Sequence, residues 1–349
     1  MNNEKLVIGM PAGSLADPNR GGNLIALLKN AGFPTKGYDG GGPTKFPLNA
    51  VLMGWDGRPQ EFGAQLAIEE IDIAIAGDDW IQERVLEFKY EYNQEIALEK
   101  VLSLNRGSVR LVTIVNPLPA GTGFDAWLGD LLAKKPLISM VSEMPYLALD
   151  WFHRKIERLG FAESHRGFSV QKFKTPPRID KGLVIYETWG KTEAKVVNGS
   201  VDFGLEITQT GSAIRNYGLQ IGEDVYTSET GIWANPRIRN NPDKLELARM
   251  FLLNLQGSIY AEDKVLLFFN VKNPIVPAIL AFLGENALFA DEPTMNPGDG
   301  YTEFSVQVST ANKTMGLAVV RYELAKMGAT HIETVPLDSC ITTLDALSF

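Results

Sequence analysis

The stretch that decides how the chain is interpreted is VDFGLEITQTGSAIRNYGL, residues 201–219. Its first half predicts a strand, and its second half begins a helix after a Thr-Gly-Ser turn. If DFGLEIT is a strand, Asp202, Gly204 and Glu206 share one face, because side chains alternate along a strand. Two carboxylates would then lie on the same side near the strand's C-terminal end, where the adjacent hydroxyls of a sugar could donate hydrogen bonds to them.

The turn after this strand has the composition of an anion site. Thr208 and Thr210 supply hydroxyls, Gly211 permits a positive φ or a close backbone approach, and Ser212 can cap the helix. Free backbone N–H groups at a helix N-terminus bind anions, and the helix dipole strengthens this binding. The stretch therefore predicts a sugar-phosphate site. The alternative is a pair of edge-strand charges followed by an ordinary helix cap.

Composition limits the classes of function. The chain has 349 residues, 45% apolar and 21% charged, which predicts a globular protein of two or three domains. A net charge of -9 argues against nucleic acid or a membrane surface as a partner. The one cysteine, Cys340, has no second thiol with which to pair. The short apolar run at the N-terminus ends at Pro11, so we expect neither a signal peptide nor a membrane span, and a cytoplasmic location.

Buried strands alternate with helices over the first two thirds of the chain. Three apolar runs bounded by Gly or Pro predict such strands: LVIGM (6–10), IDIAIAG (71–77) and VRLVTIV (109–115). From Leu137 the alternation repeats in a second block. We therefore expect two α/β lobes with a ligand cleft between them. The predicted lobe I comprises residues 1–115 and about 220–243, and the predicted lobe II comprises residues 116–219.

Three segments interrupt this alternation. Residues 35–49 and 116–136 are rich in Gly, Pro and polar residues, and we expect exposed insertions, with an active-site lid as the alternative. The locally basic segment 163–181 is expected to be a solvated loop.

The last 90 residues follow a different pattern. Their predicted βαββαβ order, residues 260–349, is that of the ferredoxin-like split unit. Such a terminal module commonly serves regulation or assembly, and both remain open at this point.

Residues 201–219 resemble the phosphoribosyl-pyrophosphate loop of the ATP phosphoribosyltransferase family, A-D-x-I-x-D-x-V-x-T-G-x-T-L with N-G-L soon after. Other segments resemble family motifs in the same order along the chain: MPAGSL (P-K-G-R-L), RPQEF (R-P-Q-D-I), DIAIAGDDWI (D-L-G-I-V-G-x-D-V-L), RLVTIVNP (C-R-L-V-V-A-V-P), VSEMPYLALDWF (A-T-E-Y-P-N-L-x-x-x-Y-F), GKTEAK (G-S-V-E-x-A) and DEPTMNPG (P-T-V-S-P-L). Each match is short, but their common order spans some 340 residues of the chain.

This resemblance implies both a fold and a reaction. The implied fold is α/β: a two-lobed catalytic unit like the type II periplasmic binding proteins, followed by a ferredoxin-like domain that binds histidine as feedback inhibitor. The implied reaction joins N1 of the adenine of ATP to C1 of phosphoribosyl pyrophosphate, releases pyrophosphate and needs Mg²⁺. It is the first step of histidine biosynthesis. The expected partners are ATP, phosphoribosyl pyrophosphate, histidine as an effector, and further copies of the chain in a dimer or hexamer.

The resemblance also assigns roles to residues. Asp202 and Glu206 would hold the ribose hydroxyls at the reacting centre. The remaining roles fall into three groups: the 5-phosphate on Thr208, Gln209, Thr210, Gly211, Ser212 and Ala213; the nucleotide or pyrophosphate near Ala12, Gly13, Ser14, Arg58, Gly77, Asp78, Asp79 and Glu193; and an effector site between copies near Asp291, Thr294 and Leu337. The metal ligands are not assigned.

Departures from the family pattern leave alternatives open. Ala12 and Ser14 stand where the family has Lys and Arg, Ala213 replaces a loop threonine, and Met144 replaces a tyrosine. Arg20, Lys36 or Lys45 could restore the missing positive charge. The alternatives are a phosphoribosyltransferase that uses another base, and a non-catalytic two-lobed protein that binds a solute or serves as a regulatory subunit.

Overall fold

A computed structural model describes residues 5–13, 23–33, 35, 37–38, 44–312, 315–347 and 349. The chain forms two compact units. The first contains residues 1–24 and 35–248, and the second contains residues 25–34 and 249–349.

The described residues form strands and helices in the following order: β1 (Leu6–Pro11), α1 (Leu24–Asn30), β2 (Lys45–Pro47), β3 (Leu52–Gly57), α2 (Pro59–Ala67), β4 (Ile73–Gly77), α3 (Asp78–Tyr92), β5 (Glu99–Val115), α4 (Phe124–Lys134), β6 (Leu137–Ser142), α5 (Pro145–Leu159), α6 (Ala162–His165), β7 (Phe168–Lys172), β8 (Gly182–Glu187), α7 (Thr192–Val197), β9 (Phe203–Thr208), α8 (Ser212–Asn216), β10 (Gln220–Ala234), α9 (Pro242–Ala261), β11 (Lys264–Lys272), α10 (Val276–Glu285), β12 (Thr294–Pro297), β13 (Tyr301–Ser309), α11 (Leu317–Lys326) and β14 (Thr330–Pro336).

The first unit is built on a sheet with strand order β2-β3-β1-β4-β10-β5-β9-β6-β8-β7. Its first half, β2-β3-β1-β4, and its second half, β9-β6-β8-β7, are mostly parallel. The long antiparallel strands β10 and β5 lie between the two halves and pair with each other over most of their length. The α/β architecture expected from the sequence is confirmed.

The apolar runs form the core that was expected of them. All five residues of β4 are buried, and Leu6, Ile8 and Met10 of β1 are fully buried beside it. Such continuous burial is typical of parallel strands that are covered on both faces. The pattern at the centre of the sheet was harder to interpret. β5 begins ten residues before the predicted run, and β10 was not predicted, because acidic and hydroxyl side chains and repeated register shifts disrupt its alternation.

The three interrupting segments are more ordered than expected. Residues 116–136 contain α4, whose Phe124, Leu128 and Leu132 are buried, so the expectation of an exposed insertion was wrong there. Residues 36 and 39–43 lie outside the described residues, but Tyr38 and Phe46 are buried and stack on each other at 5.3 Å between ring centroids. The segment 163–181 contributes β7, the edge strand of the second half, rather than a loop throughout.

The second unit carries the predicted βαββαβ order as β11-α10-β12-β13-α11-β14. Its antiparallel sheet has the strand order β12-β13-β11-β14. Phe269 of β11 and Phe304 of β13 stack in its core at 5.2 Å between ring centroids. The ferredoxin-like prediction is confirmed, with the DEPTMNPG segment forming strand β12 rather than only a turn. Among the helices of the described residues, none is long and apolar enough to cross a membrane.

Candidate active site

The Thr-Gly-Ser turn joins β9 to the short helix α8. Gly211 adopts a φ of 73°, which favours glycine, and its N–H donates to Oγ1 of Thr208 at 2.8 Å. The hydroxyls of Thr210 and Ser212 lie 2.8 Å apart. The prediction that Ser212 caps the helix was wrong: Gly211 occupies the cap position and Ser212 is the first helical residue.

Arg215 lies over this turn, and the sequence interpretation missed it. Its Nη1 donates to the carbonyl oxygen of Thr210 at 2.9 Å, and its Nη2 donates to Oγ of Ser212 at 3.3 Å. The signal was its position three residues after Ser212, because residues three apart share one face of a helix. Arg215 therefore supplies a positive charge to a turn in which Gln209, Thr210, Ser212 and Ala213 are exposed.

Glu206 is half-buried on β9, directly before the turn. Burial raises the pKa of its carboxyl to about 7, the hydroxyl of Thr192 opposes this rise, and the negative charges of Glu193 and Glu143 add to it. Glu193 lies in the first turn of α7. Glu206 is therefore poised to change its charge near neutral pH, and a neighbouring positive charge would favour its ionised form.

Asp202 does not share this environment. It precedes β9, and its Oδ2 accepts hydrogen bonds from the backbone N–H and the hydroxyl of Ser139, each at 2.9 Å. The ammonium of Lys135 contacts its other carboxylate oxygen. Asp202 and Glu206 are four residue steps apart, so their Cα atoms lie about 13 Å apart in an extended chain at 3.3 Å per residue. The prediction that both carboxylates lie near the C-terminal end of the strand was wrong for Asp202.

A cavity of about 530 Å³ lies in the first unit and is lined by both halves of the sheet. The first half contributes Ala12, Gly13, Arg58, Pro59, Gln60, Gly77, Asp79 and Trp80. The central strands β5 and β10 contribute Gly107, Val109, Ser228 and Thr230. The second half contributes Trp189 and Ile207. This volume is in the range of small-molecule sites.

The cavity brings together most of the residues predicted to contact the nucleotide or pyrophosphate. Ala12, Gly13, Arg58, Gly77 and Asp79 all line it. Of the other three predicted residues, Asp78 and Glu193 do not line it, and Ser14 lies outside the described residues. Arg20 and Lys36 also lie outside the described residues, and the ammonium of Lys45 lies 4.7 Å from the ring centroid of Trp55.

Two helices begin at this cavity. Helix α2 starts at Pro59 after Arg58, and α3 starts at Asp78 after Gly77. At the start of α3 the N–H groups of Asp79 and Trp80 already donate to Ser228 and to the Asp79 carboxyl, and Asp78 and Asp79 add negative charge there. Helix N-termini carry partial positive charge and free N–H groups, so of the two ends the start of α2 favours an anion. The Arg58 guanidinium adds a full charge at the same place. The first half of the sheet therefore offers the cavity an anion-binding wall.

Asp79 is the buried acid of this wall, with 4% of its surface exposed. Its Oδ1 accepts from the N–H of Trp80 at 2.9 Å, and its own N–H donates to Oγ of Ser228 at 3.1 Å. Burial raises the pKa of its carboxyl, and the charge of Asp78 adds to the rise. Gly77 makes room for this carboxyl, because a Cβ at residue 77 would lie 2.3 Å from Oδ1 of Asp79.

Asp78 belongs to an ion cluster that joins α3 to the central strands. Nζ of Lys100 on β5 lies 3.0 Å from Oδ2 of Asp78 and 2.6 Å from Oε1 of Glu229 on β10. The hydroxyl of Ser103 also donates to Glu229. These contacts fix the start of α3 relative to β5 and β10. Asp78 therefore does not line the cavity itself but helps to position its neighbours Gly77 and Asp79, which do.

Strand β9 borders the cavity through Ile207 and leads into the turn. Ile207 lines the cavity, while Glu206 precedes it and Thr208 follows it on the same strand. No group of three or more His, Cys, Asp or Glu side chains within the described residues could hold a metal ion. The first unit therefore combines a hydroxyl-rich turn, two carboxyls whose pKa is raised by burial, Glu206 and Asp79, and a cavity of ligand size with an anion-binding wall at Arg58.

Comparison with known proteins indicates the family of the chain. A family model described as ATP phosphoribosyltransferase matches residues 58–257. The ATP phosphoribosyltransferase of Geotalea uraniireducens is 27% identical over 344 residues, covering 96% of this chain and 99% of that protein. The one from Solidesulfovibrio magneticus is 40% identical over 96 residues, covering 28% of this chain and 33% of that protein.

Solved structures give a fainter likeness. An ATP phosphoribosyl transferase (HisG:HisZ) complex from Thermotoga maritima is 18% identical, covers 73% of this chain and 98% of that one, and has a TM-score of 0.49. The family model alone spans more than half of the present chain and includes both the cavity wall from Arg58 onward and the Thr-Gly-Ser turn. The chain therefore belongs to the ATP phosphoribosyltransferase family of phosphoribosyl-transferring enzymes.

Proposed function

We propose that this chain transfers the phosphoribosyl group of phosphoribosyl pyrophosphate to N1 of the adenine of ATP, with release of pyrophosphate, as the first step of histidine biosynthesis. The observation that carries the proposal is the continuity through Ile207. Ile207 lines a cavity of nucleotide size, and its backbone belongs to the strand that carries Glu206 and leads into the Thr-Gly-Ser turn, although the side chains of Glu206 and Ile207 lie on opposite faces of that strand.

The sugar phosphate would bind at the turn. The 5-phosphate accepts hydrogen bonds from the hydroxyls and N–H groups between Thr208 and Ala213. Ala213 has no hydroxyl to donate, and Arg215 adds a positive charge beside the turn. The Glu206 carboxylate accepts hydrogen bonds from the ribose hydroxyls. Asp202 acts on the sugar only indirectly, because its contacts with Ser139 hold the start of β9.

ATP would occupy the cavity. Its phosphates meet Arg58 and the start of α2, and its base extends toward the second half of the sheet, where Ile207 lies. Bringing N1 of adenine next to C1 of the sugar in this way would supply much of the rate acceleration, since orientation alone can remove several kcal/mol of a barrier.

The chemistry is a displacement. The lone pair of N1 forms the new bond to C1 while the bond from C1 to the pyrophosphate oxygen breaks, and the electron pair of that bond leaves with pyrophosphate. C1 and the ring oxygen become positively charged in between. The ionised Glu206 carboxylate stabilises this charge electrostatically, so no covalent nucleophile is needed.

Mg²⁺ fits this scheme as part of the substrate. The described residues offer no cluster of three ligating side chains, and Mg²⁺ is commonly bound by substrate phosphates together with one or two carboxylates. When bound, the ion neutralises charge on the departing pyrophosphate. Asp79 is the cavity carboxylate that could contact it.

We assign the second unit to regulation by histidine. Thr294 belongs to β12 and Leu337 follows β14, and these strands form opposite edges of the sheet. Three strand spacings separate them, about 14 Å at 4.8 Å each. We therefore place an effector site that uses both, together with Asp291, between neighbouring copies of the chain in a dimer or hexamer, and we expect the chain to be cytoplasmic. Calorimetric titration with histidine, and sedimentation with and without it, test this assignment.

The lobe boundaries remain part of the proposal. We place lobe I at residues 1–115 with about 220–243, and lobe II at residues 116–219. With these bounds β5 and β10 belong entirely to lobe I, and the boundaries fall at the end of β5 and at the start of β10.

Another acceptor base is the second candidate. Ala12 lines the cavity where the family has a lysine, so the wall carries less positive charge for a triphosphate. Initial rates with phosphoribosyl pyrophosphate, Mg²⁺ and either ATP or a panel of other nucleotides and free bases distinguish the two. We expect the ultraviolet change of N1-substituted adenine with ATP. Transfer only to another base would overturn the assignment of the acceptor. If no acceptor led to release of pyrophosphate, the enzyme assignment would be overturned.

A further inference from the structure

Trp189 is an exposed aromatic side chain at the edge of the cavity. It follows β8, lines the cavity from the second half of the sheet, and has 66% of its surface exposed. A large indole left this exposed loses the burial that ordinarily stabilises tryptophan in a fold. The sequence interpretation assigned it no role.

The loop that carries Trp189 is held in one conformation. The N–H of Thr188 donates to the carbonyl oxygen of Ser142 at 3.1 Å, and the Thr188 hydroxyl donates to the carbonyl oxygen of Gly190 at 3.2 Å. The N–H of Gly190 donates to the Glu143 carboxylate, and Nζ of Lys195 donates to the Gly190 carbonyl oxygen at 2.8 Å. The backbone is therefore fixed on both sides of an indole that remains exposed.

The rest of the cavity indicates what covers this indole. The first half of the sheet contributes Arg58 and the start of α2, which favour an anion, and the lining also includes apolar Ile207 and Val109. A ligand that satisfies both sides has a charged end and a flat apolar end. A nucleotide has both, and its base can stack on an indole.

We propose that Trp189 is the stacking platform for the aromatic base of the acceptor nucleotide. The inference rests on the proposed function, and it names the residue that would hold the base in place for attack on the sugar. Stacking on an indole is tolerant of base identity, so the orientation of N1 would come from the polar cavity residues rather than from Trp189.

The test measures binding without turnover. Calorimetry with ATP and with inorganic tripolyphosphate, which has no base, is run on wild type, Trp189→Leu, Trp189→Phe and the control Tyr92→Leu. Tyr92 is also an exposed aromatic residue, and it lies outside the cavity. We expect Trp189→Leu to weaken ATP binding about tenfold, since loss of base stacking has about that effect. Tripolyphosphate affinity should be unchanged in all variants, and Trp189→Phe and Tyr92→Leu should bind ATP nearly as wild type does.

Unchanged ATP affinity in Trp189→Leu would overturn the inference, as would an equal loss of affinity for ATP and tripolyphosphate. Tryptophan fluorescence gives a second readout: ATP should quench wild type more than Trp189→Phe, and tripolyphosphate should quench neither. The transfer assay separates this inference from the proposed function. If Trp189→Leu transfers the sugar with an unchanged KM for ATP, the stacking role of Trp189 is wrong and the proposed function stands. If ATP binding depends on Trp189 but wild type transfers no sugar, the proposed function is wrong and the stacking role stands.

Discussion

The carboxyl group of Glu83 on α3 accepts a hydrogen bond from the backbone N–H of Tyr146, at the start of α5, at 2.9 Å. Its other oxygen accepts from the N–H of Leu147 at 2.7 Å. Methionine has no side-chain oxygen, so Met144 at the cap position cannot satisfy these N–H groups. A buried acid from a distant helix thus caps α5 and joins α3, which begins at the cavity, to the second half of the sheet.

Replacing Glu83 by alanine should lower the free energy of unfolding by about 2 to 4 kcal/mol, because two buried N–H groups lose their acceptors. Urea unfolding at neutral pH measures this change. A loss below about 0.5 kcal/mol, as for an ordinary surface substitution, would contradict the capping role.

The same residue predicts a pH dependence. Burial raises the pKa of the Glu83 carboxyl from 4.5 to about 8. The fold therefore favours the protonated form, and this contribution is full below the unfolded pKa and is lost as pH rises through about 8. Glutamine keeps the volume of Glu83 and does not ionise. As pH rises, wild type should lose stability and Glu83→Gln should not, so the free energy of unfolding of the variant minus that of wild type should increase with pH. A pH-independent difference between the two proteins would show that Glu83 does not titrate as described.

Gly77→Ala should damage catalysis more than stability. The new Cβ would displace the Asp79 carboxyl from its place, since the two would lie only 2.3 Å apart. We expect kcat/KM to fall about 10- to 100-fold, as for other small displacements in active sites. Gly129→Ala on α4 is the matched control, because its Cβ would meet no atom within 4 Å. Wild-type kinetics in Gly77→Ala would show that the position of Asp79 does not matter.

Gly211→Ala should weaken the binding of phosphoribosyl pyrophosphate. Its φ of 73° strains any residue with a Cβ, and that atom would lie 3.0 Å from Nη1 of Arg215 over the turn. Gly199→Ala has a similar φ of 65° with open space around it. Both variants should lose about 1 to 2 kcal/mol of stability. Only Gly211→Ala should raise the Kd for the sugar pyrophosphate, measured by calorimetry; equal Kd values would argue against this turn as the phosphate site.

Asp202→Ala should have the opposite profile. Its carboxylate accepts two hydrogen bonds from Ser139, and losing them should cost about 1 to 3 kcal/mol of stability. The exposed contact with Lys135 adds little. Because Asp202 lies before the strand, away from Glu206, KM for phosphoribosyl pyrophosphate should change little. A large rise in KM at unchanged stability would restore the catalytic role expected from the sequence.

Much of the fold could be predicted because local patterns dominate it. β4 is apolar at every position and is buried at every position. The terminal βαββαβ order could be predicted because the spacing of apolar residues changes between that of a strand and that of a helix along this part of the chain. β10 could not be predicted, because a strand with register shifts has no regular alternation. Helix α4 was hidden by the Gly and Pro residues that precede it, although Phe124, Leu128 and Leu132 are spaced at helical intervals.

The site was predictable where motifs are continuous in sequence. Gly211 and the residues around it are one segment, whereas the cavity joins residues as distant as Ala12 and Thr230. Asp202 was misplaced because side-chain alternation says which face a residue occupies but not where the strand begins. Trp189 was missed because it acquires its role only from cavity neighbours that the fold supplies, whereas Arg215 could have been found from its position three residues after Ser212.

The most direct test of the site is the pH dependence of kcat/KM for phosphoribosyl pyrophosphate in wild type and Glu206→Gln. Burial raises the pKa of the Glu206 carboxyl to about 7, so it becomes ionised only as pH rises through that value. If the ionised form stabilises the cationic sugar, wild-type kcat/KM should rise between about pH 6 and pH 8 and then level off. Glu206→Gln should be slower by about 100-fold and should lack this rise. Equal rates, or the same rise with pH in both proteins, would contradict the placement of the sugar at Glu206.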